Sequence, residues 1–169
     1  MKKLMCFVSL ALLFSCNEEP AKKTPDWNTK KSIEMNEGLS EEQDLDIDLF
    51  MAKYEGKEVI KTGSGLRFLL IKSSGGEQAK AGQEALVSYT VKLLDGTLVY
   101  ETAKDELDVF DIDNSQIESG IHEGIKRMKV GEKAVLVFPS HLAHGLIGDM
   151  GKIPPLSPLV VNIELIELK

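Results

Sequence analysis

The chain has 169 residues, with 20 Lys and Arg against 27 Asp and Glu, a formal net charge of −7, 43% hydrophobic and 28% charged residues. This is the composition of one globular domain with room for a tail, and it excludes collagen-like and disordered chains. The acidic balance argues against a nucleic-acid partner, because phosphate binding needs clustered Lys and Arg. Both cysteines, Cys6 and Cys16, fall at the amino end, so the body of the chain holds neither a disulfide framework nor a Cys-based zinc site.

Lys2 and Lys3 precede an apolar run over residues 4–14 in which Ser9 is the one polar residue. A span of the bilayer needs about 20 apolar residues, so this run reads as the hydrophobic part of a signal peptide, residues 1–15. The following Leu13-Phe14-Ser15-Cys16 resembles the bacterial lipoprotein signal, in which cleavage precedes a cysteine that takes up lipid. That resemblance implies lipidation at Cys16 and a membrane partner through the anchor, in a bacterial cell envelope. The membrane implied is the outer one, on its periplasmic or surface side, with the leaflet left open. Acyl chains contribute about 0.8 kcal/mol per buried methylene, so several of them tether without spanning. Asn17-Glu18-Glu19 is similar to the acidic starts of some surface-exported lipoproteins.

Residues 16–39 are polar, with two prolines, and predict a flexible tether. Trp27 falls in this stretch and is either incidental or an interfacial contact. Ser40-Glu41-Glu42-Gln43 reads as a capping box with acidic residues in the first turn. It predicts a helix over residues 41–54, within an N-terminal unit over residues 40–58, with Leu45, Leu49 and Phe50 on one face and Gly56 as the stop.

From Val59 the hydrophobic period changes from helical to alternating. Residues 66–71 form a strand-like run closed by Ser73-Ser74-Gly75-Gly76. Ala85, Val87, Tyr89, Val91 and Leu93 share one face of a long strand, with Ser88, Thr90 and Lys92 opposite. Asp95-Gly96 is a hairpin turn, residues 98–100 return, and residues 109–112 form a further strand. Ile121, Ile125 and Met128 recur at helical spacing, while Gly120 and Gly124 let that short helix approach a sheet. Strands over residues 133–138 and 159–168 follow, the last with Leu159, Val161, Ile163 and Leu165 inward. Several antiparallel strands with one short helix make an α+β domain over residues 59–169.

Val87-Ser88-Tyr89-Thr90, Leu94-Asp95-Gly96-Thr97, Ile121-His122-Glu123-Gly124 with Met128-Lys129-Val130-Gly131-Glu132, Ala143-His144-Gly145, and Ile153-Pro154-Pro155 with Pro158-Leu159-Val160 and Glu164-Leu165 stand in order over residues 60–168. Together they resemble the FKBP-type peptidyl-prolyl cis-trans isomerases. With the lipoprotein signal, the tether and Ser140-His141, the chain is further similar to the gliding-motility-associated lipoprotein branch. The resemblance implies a five- to six-stranded antiparallel sheet curled around one short helix. It also implies a shallow apolar pocket that takes a proline ring of a polypeptide segment, with no cofactor. Amide rotation is opposed by about 20 kcal/mol and takes roughly 10–100 s uncatalysed. The twisted amide carries less charge on its oxygen, so a dry pocket favours it.

Mapped by this resemblance, the catalytic candidates are Tyr89, a pocket wall, Ile121, where the family has a tryptophan, and His144, where it has a tyrosine. Val161 replaces a phenylalanine. After Asp95-Gly96 two alignments stay open: Val99 and Tyr100 take the places of the family's aromatic and acid, or Tyr100 and Glu101 do. Phe110 is a candidate wall, Ile117 and Ile153 match cleanly, and Glu118 falls where the family offers a main-chain N–H. So few aromatics predict weaker proline binding. Ile121 and Val161 also read as plain core residues, and His144 as a surface loop residue.

His141, His144 and Asp149 contain metal-ligand chemistry, but their segment lacks the helix that would put the two histidines on one side, so no metal is expected. His122 is expected to be solvent-exposed. The acidic run Asp105, Glu106, Asp108, Asp111 and Asp113 reads as a solvated loop without EF-hand spacing. Gly63-Ser64-Gly65 lacks the helix and lysine of a phosphate loop, and the adjacent Ser140 and His141 do not make a triad. The expected function is therefore a membrane-anchored peptidyl-prolyl isomerase and folding assistant for exported proteins. The alternatives are a catalytically weak chaperone or binding module of the same fold, and a structural lipoprotein docked in an envelope complex.

Overall fold

A computed structural model describes residues 28–169. The signal sequence, Cys16 and Trp27 lie outside the described residues.

The first element is a helix, α1 (Thr29–Met51), continued by a 3₁₀ turn over Ala52–Tyr54. It starts well before the capping box. Asn28 is the cap, its side-chain oxygen accepting from the Lys31 N–H at 3.0 Å. Lys30 and Glu34 pair one turn apart at 3.7 Å, and the residues that read as the end of the tether are helical, with Ser40 inside the helix. Residues such as Lys, Glu and Met propagate a helix once a cap is present, and a second good cap signal does not interrupt it. The face also differs from expectation. Gln43, Ile47 and Met51 are the buried positions, whereas Leu45 and Leu49 are more than half exposed. The reason is electrostatic: Asp44 and Asp48, one residue along from that stripe, both pair at 2.6 Å with the buried guanidinium of Arg67. This pairing sets the rotation of α1 and turns Ile47 and Met51 onto the sheet.

The sheet contains β1 (Val59–Lys61), β2 (Arg67–Lys72), β3 (Glu84–Leu93), β4 (Leu98–Glu101), β5 (Asp108–Asp111), β6 (Lys133–Phe138) and β7 (Leu159–Leu168). All pairings are antiparallel, in the order β1-β2-β6-β7-β3-β4, with β5 also on β3. The sheet is 7-stranded rather than five- to six-stranded. β4 and β5 divide one edge of β3 between them, β5 pairing with residues 84–87 and β4 with residues 90–92. The Asp95-Gly96 hairpin forms as read, with Gly96 at φ +91 and the Thr97 N–H donating to the Asp95 carboxylate at 2.8 Å.

One face of the sheet buries Ala85, Val87, Val91, Leu136, Phe138, Val161, Ile163 and Leu165 against α2 (Ser119–Ile125). The other buries Leu69, Val135, Val137 and Val160 beneath Ile47 and Met51 of α1. α2 reaches the sheet because two of its residues have no side chain. A Cβ at Gly120 would lie 2.5 Å from the Phe138 ring, and one at Gly124 would lie 2.4 Å from a Leu136 methyl. The turn Met128–Glu132 then re-enters the sheet. Gly131 takes φ +86, and the buried Glu132 carboxylate accepts from the Lys129 and Ser74 amides at 2.9 and 3.3 Å.

Candidate functional site

β3 carries Tyr89, whose ring is partly buried against the core on the α2 side. Its backbone is held by Thr102: the Tyr89 N–H donates to the Thr102 hydroxyl oxygen at 3.0 Å, the Thr102 N–H donates to the Tyr89 carbonyl at 2.9 Å, and the Thr102 hydroxyl donates to Asp108 at 2.6 Å. Burial pushes the Tyr89 phenol upward, and the charges of Asp108 and Glu118 push it further. The ring therefore presents a neutral wall well into alkaline pH.

β4 carries the residues of both alignments left open by the sequence. Val99 points into the core and is 3% exposed, while Tyr100 stands at the rim and Glu101 is exposed. The Tyr100 hydroxyl donates to the Asp149 carboxylate. That bond, with the Ile153, Gly151 and Lys152 amides, holds the Asp149 carboxyl far below the usual carboxylate range. Lys152 bridges the same two segments, donating to the Val99 carbonyl at 3.0 Å with its ammonium 4.9 Å from the Tyr100 ring.

Phe110 on β5 is buried and meets the His122 ring edge-on, with centroids 5.8 Å apart. His122 is buried rather than solvent-exposed, because residues 111–118 fold back over the short helix. Its Nδ1 accepts from the Asp113 N–H at 3.0 Å and its Nε2 contacts the Ser115 carbonyl at 3.0 Å. Those partners assign the neutral ring with the proton on Nε2. Ile121, Ile153 and Val161 lie in the same core as Tyr89, Val99 and Phe110 and are all but inaccessible. The apolar candidates thus converge on one side of the sheet, with Tyr89 the partly open member.

Beside them lies a cleft of about 390 Å³ lined by Gln116, Ile117, Glu118, Ser119, Ala143 and His144. Ile117 is half-buried and packs on the core. Glu118 caps α2 with φ −59 and ψ 130; its carbonyl accepts from the Ile121 N–H at 2.9 Å. A capping residue's own N–H is outside the helical ladder. His144 is neither a bare surface residue nor an open donor: its Nε2 lies 2.9 Å from the Glu118 carboxylate. His141 instead contacts the Ser64 carbonyl at 3.0 Å and Asp149 holds Tyr100, so these three residues turn to separate partners. Of the acidic run, Asp113 pairs with Lys126 at 2.8 Å and Asp108 with Thr102.

No local signal announces the burial of Arg67, Glu132 or His122, and Gln43, expected in a capping box, instead reaches Ser140 and Leu156 from inside α1. Each is a buried polar residue whose partners are set by the fold, from 7 residues away for His122 to 113 for Gln43. The Met128–Glu132 motif was visible, but the role of its carboxylate in tying the turn was not.

Similarity to known proteins agrees with this geometry. The family model described as FKBP-type peptidyl-prolyl cis-trans isomerase matches residues 75–166. The chain is 33% identical over 123 residues to the macrophage infectivity potentiator of Trypanosoma cruzi, covering 72% of this chain and 62% of that protein. It is 36% identical over 117 residues to the FKBP-type 22 kDa peptidyl-prolyl cis-trans isomerase of Escherichia coli, covering 69% of this chain and 55% of that protein. These curated relatives are therefore considerably longer than the segment they share with it. Among solved structures, FkpA from Escherichia coli superposes with a TM-score of 0.67 at 28% identity, covering 82% of this chain and 64% of that one. A peptidyl-prolyl isomerase from Pseudomonas syringae pv. tomato gives 0.65 at 28% identity, covering 79% and 95%. The family match and both superpositions agree with an antiparallel sheet packed on a short helix, and the chain belongs to the FKBP-type peptidyl-prolyl cis-trans isomerase family.

Proposed function

We propose that this chain is a peptidyl-prolyl cis-trans isomerase of the cell envelope, anchored by lipid at Cys16 and acting on X-Pro bonds of exported polypeptides. The observation that carries the catalytic part is the convergence of Tyr89, Val99, Phe110, Ile121, Ile153 and Val161 on one apolar core face beside the start of α2. The reaction requires no nucleophile. A proline ring set against Tyr89 and Phe110 leaves water, and the amide twists in surroundings that do not solvate its planar, more polar form. The Glu118 N–H is the donor that orients a substrate carbonyl. Tyr100 and Ile117 border the residues flanking proline. The lipid anchor is supported by the charged, apolar and Ser15-Cys16 pattern of the first residues, and the envelope location follows from it. Assignment to the gliding-motility-associated branch rests on the same pattern together with Ser140-His141.

The test is an isomerisation assay on residues 24–169, using peptides with several residues before proline. The expected result is acceleration over the uncatalysed rate, lost in Tyr89→Ala. A folded fragment with no acceleration overturns the isomerase reading. The aliphatic Ile121 and Val161, and the engagement of His144 with Glu118, favour a second reading: a binding module with slow turnover. It is distinguished by proline-peptide binding without acceleration. Fractionation tests the anchor: Cys16→Ser should move the protein out of the membrane fraction, and retention there refutes lipid tethering at Cys16.

A further inference from the structure

Gln43 of α1 is buried, with its side chain aimed away from its own helix. Its Oε1 accepts from the Ser140 N–H at 2.8 Å, and its Nε2 donates to the Leu156 carbonyl at 3.2 Å. Two further bonds close a circuit. The Ser140 carbonyl accepts from the Gly145 N–H at 2.7 Å, and the Gly145 carbonyl accepts from the Leu156 N–H at 2.9 Å. The ring runs Gln43, Ser140, Gly145, Leu156 and back to Gln43. It joins the two ends of the segment that carries His144 and Ile153.

Leu156 sits at φ +58 and Gly145 at φ +61. The left-handed conformation is disfavoured for leucine and persists only where surrounding bonds hold it. One amide side chain on α1 supplies both missing partners, an acceptor for Ser140 and a donor for Leu156. Its neighbour Asp44 is clamped to Arg67, so the position of Gln43 is fixed by the same ion pairs that dock the helix. The segment then delivers His144 to Glu118 at the mouth of the cleft.

We propose that Gln43 is a positioning residue for the prolyl site: α1, outside the segment matched by the family model, sets the geometry of the rim segment Ser140–Leu156 through this hydrogen-bonded ring. The proposal rests on the isomerase reading for its catalytic consequence, and its structural half stands apart from that reading. Gln43→Met keeps the length and removes both bonds. Gln43→Glu keeps the acceptor and removes the donor.

The experiment is native-state amide exchange on the full chain and both variants, together with isomerase kinetics. Gln43→Met should speed exchange of the Gly145 and Leu156 amides by about tenfold, with Gln43→Glu intermediate and the β3 and β7 amides unchanged. It should raise KM for proline peptides more than it lowers kcat. Combined with His144→Ala, it should cost less than the sum of the two single changes, because both act through one rim. Unchanged exchange at Gly145 and Leu156 overturns the ring. Faster exchange with unaltered KM and kcat overturns the positioning role. If the native chain shows no turnover, the isomerase reading fails by itself. Binding of a proline peptide, followed by amide chemical shifts, then decides: weaker binding in Gln43→Met supports positioning and equal binding overturns it.

Discussion

Removing the two carboxylates that hold Arg67 should destabilise the protein more than removing Arg67 itself. The Arg67 side chain is 2% exposed, whereas those of Asp44 and Asp48 are 38% and 54% exposed. In Arg67→Met an apolar side chain of similar length fills the site, and both carboxylates turn to water at little cost. The lost charge-assisted bonds are then offset in part by hydration, and the net loss is about 1–2 kcal/mol. In Asp44→Ala with Asp48→Ala the guanidinium keeps the Gly65 and Asp44 carbonyls, at 2.7 and 3.3 Å, but no counter-charge from α1. An uncompensated buried charge costs about 3–5 kcal/mol. The protein can escape that cost by lifting α1, which exposes Ile47 and Met51, both now buried; at about 1.5–3 kcal/mol each that costs a similar amount. Either route therefore costs at least about 3 kcal/mol. Urea unfolding followed by circular dichroism measures the difference. A Met variant as destabilised as the double Ala variant would refute the reasoning, since it would mean the pair is worth more than the solvation of its carboxylates.

The same pair carries a pH dependence. The Arg67 and Lys61 hydrogen bonds hold Asp44 below the usual carboxylate range, so its contribution is complete above the unfolded value near pH 4 and fades as pH falls through the lower folded value; acid titration of Asp48→Asn and of the parent should both show α1 loosening first, by exchange of its amides. Gly124→Ala gains about 1 kcal/mol in helix propensity, but its methyl would meet Leu136 at 2.4 Å in a core without exposed margin. A net loss of about 1–2 kcal/mol is expected by thermal or urea unfolding. His122→Ala strands the Asp113 N–H and the Ser115 carbonyl, and should cost about 1–3 kcal/mol while leaving Phe110 without its edge-on neighbour; an unchanged urea midpoint would contradict the burial assigned to that ring.

Legibility followed periodicity. Alternation along β3 and β7 identified the core face, because a strand inverts its side chains at every residue. Gly120 and Gly124 announced a close approach whose partners, Phe138 and Leu136, came only with the fold. Tyr89, Phe110, Ile117 and Ile153 were legible as apolar candidates in order, while the burial of Phe110 and Ile153 in the core came only with the fold. Which of Val99 and Tyr100 faces inward was not legible, because that depends on the register of β4 against β3, and the bulge between Val91 and Lys92 alters it.

The amino-acid sequence by itself determined six of the seven strands, the short helix, the hairpin and the family, because these rest on local conformational preference and on a hydrophobic pattern that a single chain displays. Tertiary structure alone decided the rotation of α1, the burial of His122, the turning of His144 to Glu118, and the ring through Gln43. Each of those depends on a polar group finding a partner that the fold supplies, from 7 residues away for His122 to 113 for Gln43. A buried donor or acceptor must be satisfied, but nothing in its local sequence says by whom.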